Sequence, residues 1–390
     1  AVANVVGTGA FTIPLMKKVG YDKNFAGAVE ASASVGGQIL PPIMGASAFI
    51  MAETTGVSYG TIALAAVLPA LLYYLGVIAQ VHFRAGRDNL KGIPKESLPI
   101  VKDVLKERGH LLLPIIGLVV LLFNNIPVSY AAFYTIILTI IVSSLRKSTR
   151  MSIRDVFDAL ADGARQSLAV MSACALVGII IGVVSLTSFG SVLTSAIMSV
   201  GAGSLFLTLF FTMLASMLLG MGLPSIPAYI ITATMAAPAL ANFDIPILVA
   251  HMFVFYFGLF ANITPPVALA SFAGAGIAGG DPMKTGFQSL KLALAGFIVP
   301  FMFVYNPAML MLETTDALIS SKEFPLPSLW VIFSVTVTAI IGIIALSAAV
   351  EGYFKSHLNP LMRIILAAGA FMLIVPETLT DVLGVAIVGL

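Results

Sequence analysis

The chain has 390 residues, of which 59% are hydrophobic and only 10% are charged, and its mean hydropathy is +1.05. A soluble domain carries roughly 25% charged residues, so this composition excludes one and indicates an integral membrane protein. The net charge of +2 is too small to suggest nucleic acid as a partner. A single cysteine, Cys174, excludes an intramolecular disulfide and a cysteine-based metal cluster, and it is interpreted as a small core residue.

Long uncharged stretches define the fold class. Thr61 to Phe83 and Gln166 to Phe243 carry no charged residue, and about 20 apolar residues cross a bilayer as a helix. The short alternating segments of barrel strands are absent, so we predict an all-α polytopic membrane protein. Further spans are expected near residues 168–186, 203–220, 286–312, 326–349 and 359–376.

The N-terminal segment, Ala1 to Leu15, is short, rich in small residues and interrupted by Pro14. It is predicted to be one half of a re-entrant hairpin and not a simple span. The chain starts at Ala1 instead of Met and ends within the apolar run "VLGVAIVGL". We therefore expect it to be a piece of a longer protein, with the opening segment of the first hairpin missing.

The string "GGQILPP" ends at Pro42, within a stretch that has no charged residue between Glu30 and Glu53. Proline lacks a backbone donor and clashes with the preceding helical turn, so two successive prolines predict a helix broken at membrane depth. Glu30 lies about two turns before Gln38. A carboxylate within the membrane suggests a functional residue, which could couple transport by relaying a proton or hold the domain through a hydrogen bond. The alternative is a carboxylate at a helix end near the membrane interface.

Two basic segments, Arg84 to Arg108 and Arg146 to Arg165, flank two predicted spans that turn at Asn124 to Pro127. Two spans place both segments on one face, and the bias of Lys and Arg toward cytoplasmic loops makes that face the cytoplasm. Between Ile153 and Leu160, apolar residues recur at helical spacing among charged ones. This pattern predicts an amphipathic helix along the membrane surface, with a solvated loop helix as the alternative.

The second half of the chain repeats the first. An offset of 224 residues places Pro41 and Pro42 on Pro265 and Pro266, within the string "NITPP". The offset also superimposes a third proline position without a gap. Because prolines are only 21 of 390 residues, their joint match predicts an internal duplication with a second broken helix.

A second hairpin half is predicted at Leu223 to Leu240, with Gly220, Gly222 and Ser225 near its turn. Backbone carbonyls freed at the breaks, beside small or polar side chains, suit a small hard cation such as Na⁺. A hairpin tip that faces a broken helix would complete an ion or substrate site. In the alternative interpretation, the glycines serve close helix packing and the prolines only kink their helices.

Several long strings carry a family resemblance: "FTIPLMKKVGY", "GAVEASASVGGQILPPIMGASAFIMAE", "GMGLPSIPAYI" and "NITPPVALASFAGAGIA". In them the sequence resembles the large membrane subunit of the tripartite ATP-independent periplasmic (TRAP) transporters, over most of the chain up to about residue 312. The form "VEASASVGGQILPPIMGA" is most similar to the fused subtype that works with TAXI-type binding proteins. Members of that subtype carry additional N-terminal spans.

The resemblance implies an elevator-type secondary transporter, in which inverted repeats form a transport domain of two re-entrant hairpins and two broken helices that moves against a scaffold. It implies import of a small organic acid, delivered by a periplasmic substrate-binding protein, through a bacterial or archaeal cytoplasmic (inner) membrane. A cation gradient, usually of Na⁺, would drive uptake. We expect no cofactor beyond the coupled Na⁺ or H⁺. The expected partners are the periplasmic binding protein, the small organic acid substrate and the lipid bilayer, with no nucleic acid.

The family forms its ion and substrate sites from the hairpins and the broken-helix loops. Carried over by position, these sites comprise Asn4, Gly37, Gln38, Leu40, Pro42, Gly220, Gly222, Ser225, Asn262, Thr264 and Pro266. The Na⁺ ligands among them would be Gly37, Leu40, Pro42, Gly222, Asn262 and Thr264.

The expected domains are a first transport-domain repeat (1–60), scaffold spans with the cytoplasmic loops and the surface helix (61–200), a second transport-domain repeat (201–282) and C-terminal spans (283–390). Coupling to protons instead of Na⁺ is left open. The alternative from another functional class is a channel or a non-transporting membrane scaffold, although the rows of ionisable pore residues that favour a channel are missing. His251 could titrate near neutrality, with a packing histidine as the alternative. No catalytic motif is present, so the sequence does not support an enzyme.

Overall fold

The computed structural model describes residues 1–94, 100–124, 126–313, 326–374 and 378–389. Within these ranges the chain is helical and forms no β-strand, which confirms the all-α prediction. The helices are α1 (Val2–Val19), α2 (Lys23–Gly36), α3 (Ser47–Thr55), α4 (Tyr59–Arg87), α5 (Val101–Arg108), α6 (Leu113–Phe123), α7 (Val128–Ser143), α8 (Ile153–Thr187), α9 (Phe189–Gly201), α10 (Leu205–Gly220), α11 (Ser225–Met235), α12 (Ile247–Phe260), α13 (Leu269–Ala278), α14 (Pro282–Leu292), α15 (Leu294–Tyr305), α16 (Leu329–Glu351), α17 (Pro360–Ile374) and α18 (Thr378–Gly389). Short 3-10 helices lie at Gly109–Leu112, Ala237–Phe243 and Pro307–Leu310.

In the described part of the chain, four helical segments are long and apolar enough to cross a membrane: α4, α8, α16, and α14 and α15 taken together (Pro282–Tyr305). Helix α11 and the 3-10 helix that follows it are bent by 42° relative to each other, and together they form a fifth candidate span if they are counted as one. Other apolar helices, including α10, α12 and α13, are too short to cross a bilayer alone. Full spans and half-length helices therefore occur together. Of the five further spans expected from the sequence, 168–186, 286–312 and 326–349 overlap helices long enough to cross, whereas 203–220 and 359–376 overlap the shorter helices α10 and α17, and residues 375 and 376 lie outside the described part.

The broken helices of the two copies have matching bounds. The side chain of Asp22 caps α2 by accepting hydrogen bonds from the amides of Asn24 (2.9 Å) and Phe25 (3.2 Å). Helix α2 covers residues 23–36, and the offset of 224 residues carries these positions onto the first and last residues of α12. The continuations after the breaks, α3 and α13, correspond to within two residues at their starts. The repeat expected from the prolines is present in the backbone.

The correspondence extends beyond the prolines to the next long helices. The same offset places α4 onto α14 and α15, because Tyr59 falls on Met283, the second residue of α14. Helix α14 is interrupted at Ala293, and the amide nitrogen of the buried Gln80 side chain, on α4, donates to the carbonyl of Leu292 there (3.1 Å). Each copy thus consists of a broken helix followed by a long helix.

Helix α2 and helix α13 pack backbone against backbone. A Cβ atom at Gly27 would come within 2.9 Å of the carbonyl of Gly274, so only glycine permits this approach. In the other copy the corresponding positions carry His251 and Ile50, which are too large for such a contact. One continuous hydrophobic core joins the helices of both copies.

Two elements are longer than the sequence pattern predicted. The N-terminal hairpin half continues as a single helix to Val19, with Pro14 inside it, and ends at Gly20 in a left-handed conformation with φ of 116°. The amphipathic segment that begins at Ile153 is not a separate element. It forms the first turns of α8, which begins at a capping box between Ser152 and Asp155 and runs unbroken to Thr187.

Candidate ion and substrate site at the helix breaks

The two breaks share a backbone hydrogen bond at equivalent positions. The amide of Met44 donates to the carbonyl of Leu40 over 3.2 Å, and the amide of Ala268 donates to the carbonyl of Thr264 over 3.2 Å. Met44 and Ala268 are both left-handed, with φ of 55° and 36°. The Pro41–Pro42 and Pro265–Pro266 bonds are both cis. The breaks are therefore two copies of one loop.

In the second break, Asn262 and Thr264 are buried and cap the end of α12. The side-chain nitrogen of Asn262 donates to the carbonyl of Leu259 (3.3 Å), and the hydroxyl of Thr264 donates to the carbonyl of Phe260 (2.8 Å). Both donors are used on the backbone, so the acceptor oxygens of these two side chains keep their lone pairs for another partner. Pro266 follows at an exposed position.

The tip of the second hairpin, between α10 and α11, lies against this break. A Cβ atom at Gly220 would come within 2.7 Å of the carbonyl of Gly258, and Gly222, with φ of 74°, lies next to the side chain of Val267. Ser225 is the first residue of α11, so the amino end of that helix begins at the tip. Hairpin and break are brought together in the second copy as predicted from the sequence.

In the first break, several of the predicted oxygen ligands already accept hydrogen bonds. The carbonyl of Gln38 accepts from the amide of Gly45 (2.7 Å), and the carbonyl of Leu40 accepts from Met44 (3.2 Å). The carbonyl of Pro42 accepts from the hydroxyl of Tyr59 (2.7 Å). The loop folds back on itself and onto α4. The sequence predicted free carbonyls because proline has no backbone N–H, but other donors bind several of them here.

Gln38 nevertheless provides an available acceptor. Its side-chain oxygen Oε1 is buried and has no hydrogen-bond donor among the described residues. A buried acceptor without a partner is costly unless a donor or a cation binds it. Gly37, in contrast, is exposed at the start of the same break. The donor set at both breaks consists of neutral amide, hydroxyl and carbonyl oxygens, which fits a hard monovalent cation.

A polar cluster joins α1 to α2 beside the first break. The hydroxyls of Thr8 and Thr12 donate to the carboxylate of Glu30, and the side-chain amide of Asn4 donates to the hydroxyl of Ser34 (2.8 Å), which lies 3.4 Å from Glu30 Oε1. The described contact of Asn4 is thus with α2 and not with the break itself. Glu30 is buried, and none of the ion pairs of the described residues includes it.

Three tyrosines on α4 hold the first broken helix, and sequence reasoning missed them. Tyr59 donates to the carbonyls of Pro42 and Ile43 (2.7 and 2.9 Å), and Tyr73 and Tyr74 donate to the carbonyls of the residues at positions 32 and 33 (both 2.8 Å). Tyr59 thus supplies a donor beside the prolines, whereas Tyr73 and Tyr74 bind the body of α2. The only available signal was the position of these tyrosines in the helix after the break.

Other candidate groups are accounted for by packing. His251 Nδ1 and the hydroxyl of Tyr229 are 2.7 Å apart and join α11 to α12, as expected of a packing histidine. Among the described residues, no group of three or more His, Cys, Asp or Glu could hold a metal ion. A cation at this site would depend on neutral oxygens and on the shape of the loops.

Apolar helices too short to cross a bilayer alone, which end in two matched loops with a hairpin tip against one of them, are typical of a helical membrane transporter. The family model of the "Tripartite ATP-independent periplasmic transporter, DctM component" matches residues 1–318. The chain belongs to this family, whose members are membrane components of transporters and not enzymes.

A curated relative is the "C4-dicarboxylate TRAP transporter large permease protein DctM" of Vibrio cholerae serotype O1. It is 34% identical over 104 residues, which is 27% of this chain and 22% of the relative. The matched part therefore spans about a fifth of the length of that protein.

Proposed function

We propose that the chain is the permease subunit of a cation-coupled TRAP transporter that imports a small organic acid through the inner membrane. The observation that carries the proposal is the pair of matched breaks, with the unpartnered Gln38 Oε1 at one and the hairpin tip at the other. Both breaks offer neutral oxygens without a carboxylate, which favours Na⁺ as the coupled ion.

A dicarboxylate or another small organic acid is the proposed substrate, supported by the family and by the name of the relative from Vibrio cholerae. We propose that a periplasmic binding protein delivers it and that a small membrane component completes the transporter. The strings around Gly36 to Pro42 support a fused, TAXI-associated subtype, of which this chain would be one part.

An elevator movement of the two broken helices is also proposed. The buried hydrogen bond from Tyr73 to the carbonyl of Ser32 crosses the expected boundary between residues 1–60 and residues 61–200. Such a bond is difficult to break inside a membrane, where no water replaces it. We therefore place α4 with the moving unit and begin the scaffold after it; the remaining domain limits stay predictions.

Uptake in proteoliposomes tests the function. The complete transporter, reconstituted with its binding protein, is expected to accumulate a labelled dicarboxylate only when Na⁺ is higher outside, with saturable kinetics and without ATP. Vesicles with choline in place of Na⁺ are the control. Accumulation that is independent of every cation gradient would refute the proposal, and non-saturable flux without binding protein would indicate a channel.

Proton coupling is a second candidate, favoured by the buried carboxylate of Glu30 with its hydroxyl donors and without an ion pair among the described residues. A carboxylate in such a place can exchange a proton with each cycle. In this case Glu30→Gln abolishes uptake driven by a pH gradient at zero Na⁺ gradient. If coupling is to Na⁺ alone, the same variant retains its Na⁺-driven uptake within about threefold, or about 0.7 kcal/mol.

A further inference from the structure

A completely buried carboxylate lies in the region that follows the family match. Glu351 is the last residue of α16, and its side chain is 0% exposed. It forms ion pairs with Arg87 (3.1 Å), Lys291 (3.1 Å) and Arg84 (3.7 Å). One acidic group beyond residue 318 thus binds three basic groups within the family-matched part.

The basic residues come from two equivalent helices. Arg84 and Arg87 are on α4 in the first copy, and Lys291 is on α14 in the second. Both helices are bound in turn to a broken helix: Tyr73 on α4 donates to α2, and the hydroxyl of Ser271, on α13, donates to that of Ser289 on α14 (2.8 Å). Glu351 therefore connects the two copies to each other and to α16.

The charges in this cluster depend on one another. A negative side chain at the carboxyl end of a helix is unfavourable because the helix dipole is negative there. The three cations compensate for it, and Arg87 also donates to the backbone carbonyl of Glu351 (3.0 Å). Asp88 accepts from Arg84 (2.7 Å) and Arg87 (3.0 Å) and fixes both guanidinium groups. Removing Glu351 or separating α16 would leave Arg84 and Arg87 paired with Asp88 alone and would take from Lys291 its ion-pair partner among the described residues.

Helix α16 follows α4 beyond the cluster. The hydroxyl of Ser347 is 3.4 Å from the carbonyl of Gly76. Just after α16 ends, the ring of Phe354 packs against that of Phe83 on α4, with centroids 5.7 Å apart. The contact therefore extends along α4 and does not depend on a single ion pair.

We propose that Glu351 fixes α16 to both copies, so that α16 moves together with the broken helices and is not part of the stationary scaffold. This inference rests on the proposed transport function. It assigns Glu351 as a positioning residue and gives α16, which lies beyond the family match, a mechanical role in the moving unit.

Cross-linking tests the movement. Phe83→Cys and Phe354→Cys are introduced together in a variant that lacks Cys174, and a short, reducible bis-thiosulfonate reagent joins them in proteoliposomes of the complete transporter. Because both residues move together in our proposal, uptake should stay within about threefold of the uncross-linked protein. A larger loss that a reductant restores would show that the carboxyl end of α16, three residues before Phe354, moves against α4, and it would overturn the inference. Each single-cysteine variant with reagent is the control.

Thermal unfolding of the purified complete transporter tests the ionic connection without requiring transport. Glu351→Gln should lower the unfolding temperature, whereas Glu53→Gln, at an exposed carboxylate, should not. Lys291→Met should lower the unfolding temperature less than Glu351→Gln does. Because the two side chains interact, the variant with both changes should lose less than the sum of the two single losses. Strict additivity would overturn the inference. If the wild-type protein shows no uptake, the proposed function is refuted. The unfolding temperatures of the single and double variants would still test the ionic connection through Glu351.

Discussion

The two breaks share a backbone path and differ in what surrounds it. The first is bound by Tyr59 and lies beside the Glu30 cluster, whereas the equivalents of these residues in the second copy are Met283 and Val254. The second lies beside the tip of its own hairpin, where Gly222 is next to Val267 and Gly220 approaches Gly258 on α12. The two loops thus share their geometry, but different neighbouring residues stabilise each of them. A site built from two such copies is symmetric in backbone and asymmetric in chemistry.

The largest expected effect concerns the helix contact found in only one copy. In Gly274→Val the new side chain meets the backbone around Gly27, which cannot rotate away, so we expect a loss of about 3 kcal/mol of unfolding free energy. Gly276→Val, two residues further along α13, faces open space and should stay within about 0.5 kcal/mol. Thermal unfolding in detergent measures both, and equal stabilities would contradict the close approach.

The polar cluster of the first copy provides the next comparison. Thr8→Val removes a donor from the Glu30 carboxylate and should destabilise the protein by about 2 kcal/mol. Thr232, at the equivalent position, donates to its own helix at Ala228 (2.9 Å), so Thr232→Val should change stability by less than about 0.5 kcal/mol. Unfolding curves of the two variants would refute the asymmetry if the losses were the same.

Gln38 and Asn262 occupy equivalent positions in the two breaks. Replacing either with Ala should raise the Na⁺ concentration for half-maximal uptake by about tenfold, or about 1.4 kcal/mol. Only Asn262→Ala should also lower stability, because it removes the cap on Leu259. Na⁺ titrations of uptake, paired with thermal unfolding, measure both. An unchanged Na⁺ response in either variant would exclude that break as an ion site.

The smallest effect is expected where a hydroxyl fixes the first break. Tyr59→Phe removes the donor to Pro42 and Ile43 and should reduce stability by about 1 kcal/mol. Tyr130→Phe, at an exposed tyrosine, should have no measurable effect. If both variants unfold at the wild-type temperature, Tyr59 does not hold the loop.

Local chemistry made part of this architecture predictable. Proline removes a donor wherever it occurs, so Pro41 and Pro265 indicated the breaks without knowledge of neighbouring helices, and their spacing indicated the repeat. Gly220 and Gly222 indicated the hairpin tip for a similar reason, because close approach and positive φ are properties of single residues.

Contacts between residues far apart in the chain could not be predicted from the sequence. Whether Tyr59 reaches the preceding loop depends on the angle between α3 and α4, and the meeting of Glu351 with Lys291 depends on the packing of three helices. Neither leaves a local pattern. The unbroken course of α8 was missed because its charged first turns and apolar remainder differ in composition, although the helical hydrogen bonds continue through both.

The backbone contact between Gly27 and Gly274 has a consequence for cooperativity. Most helix pairs are separated by side chains, which can change rotamer and absorb a small displacement. Here α2 and α13 touch without such a layer. In the proposed function, where each break binds an ion, a shift of one helix on binding would be passed to the other as a rigid movement and would give one break a direct route to alter affinity at the other.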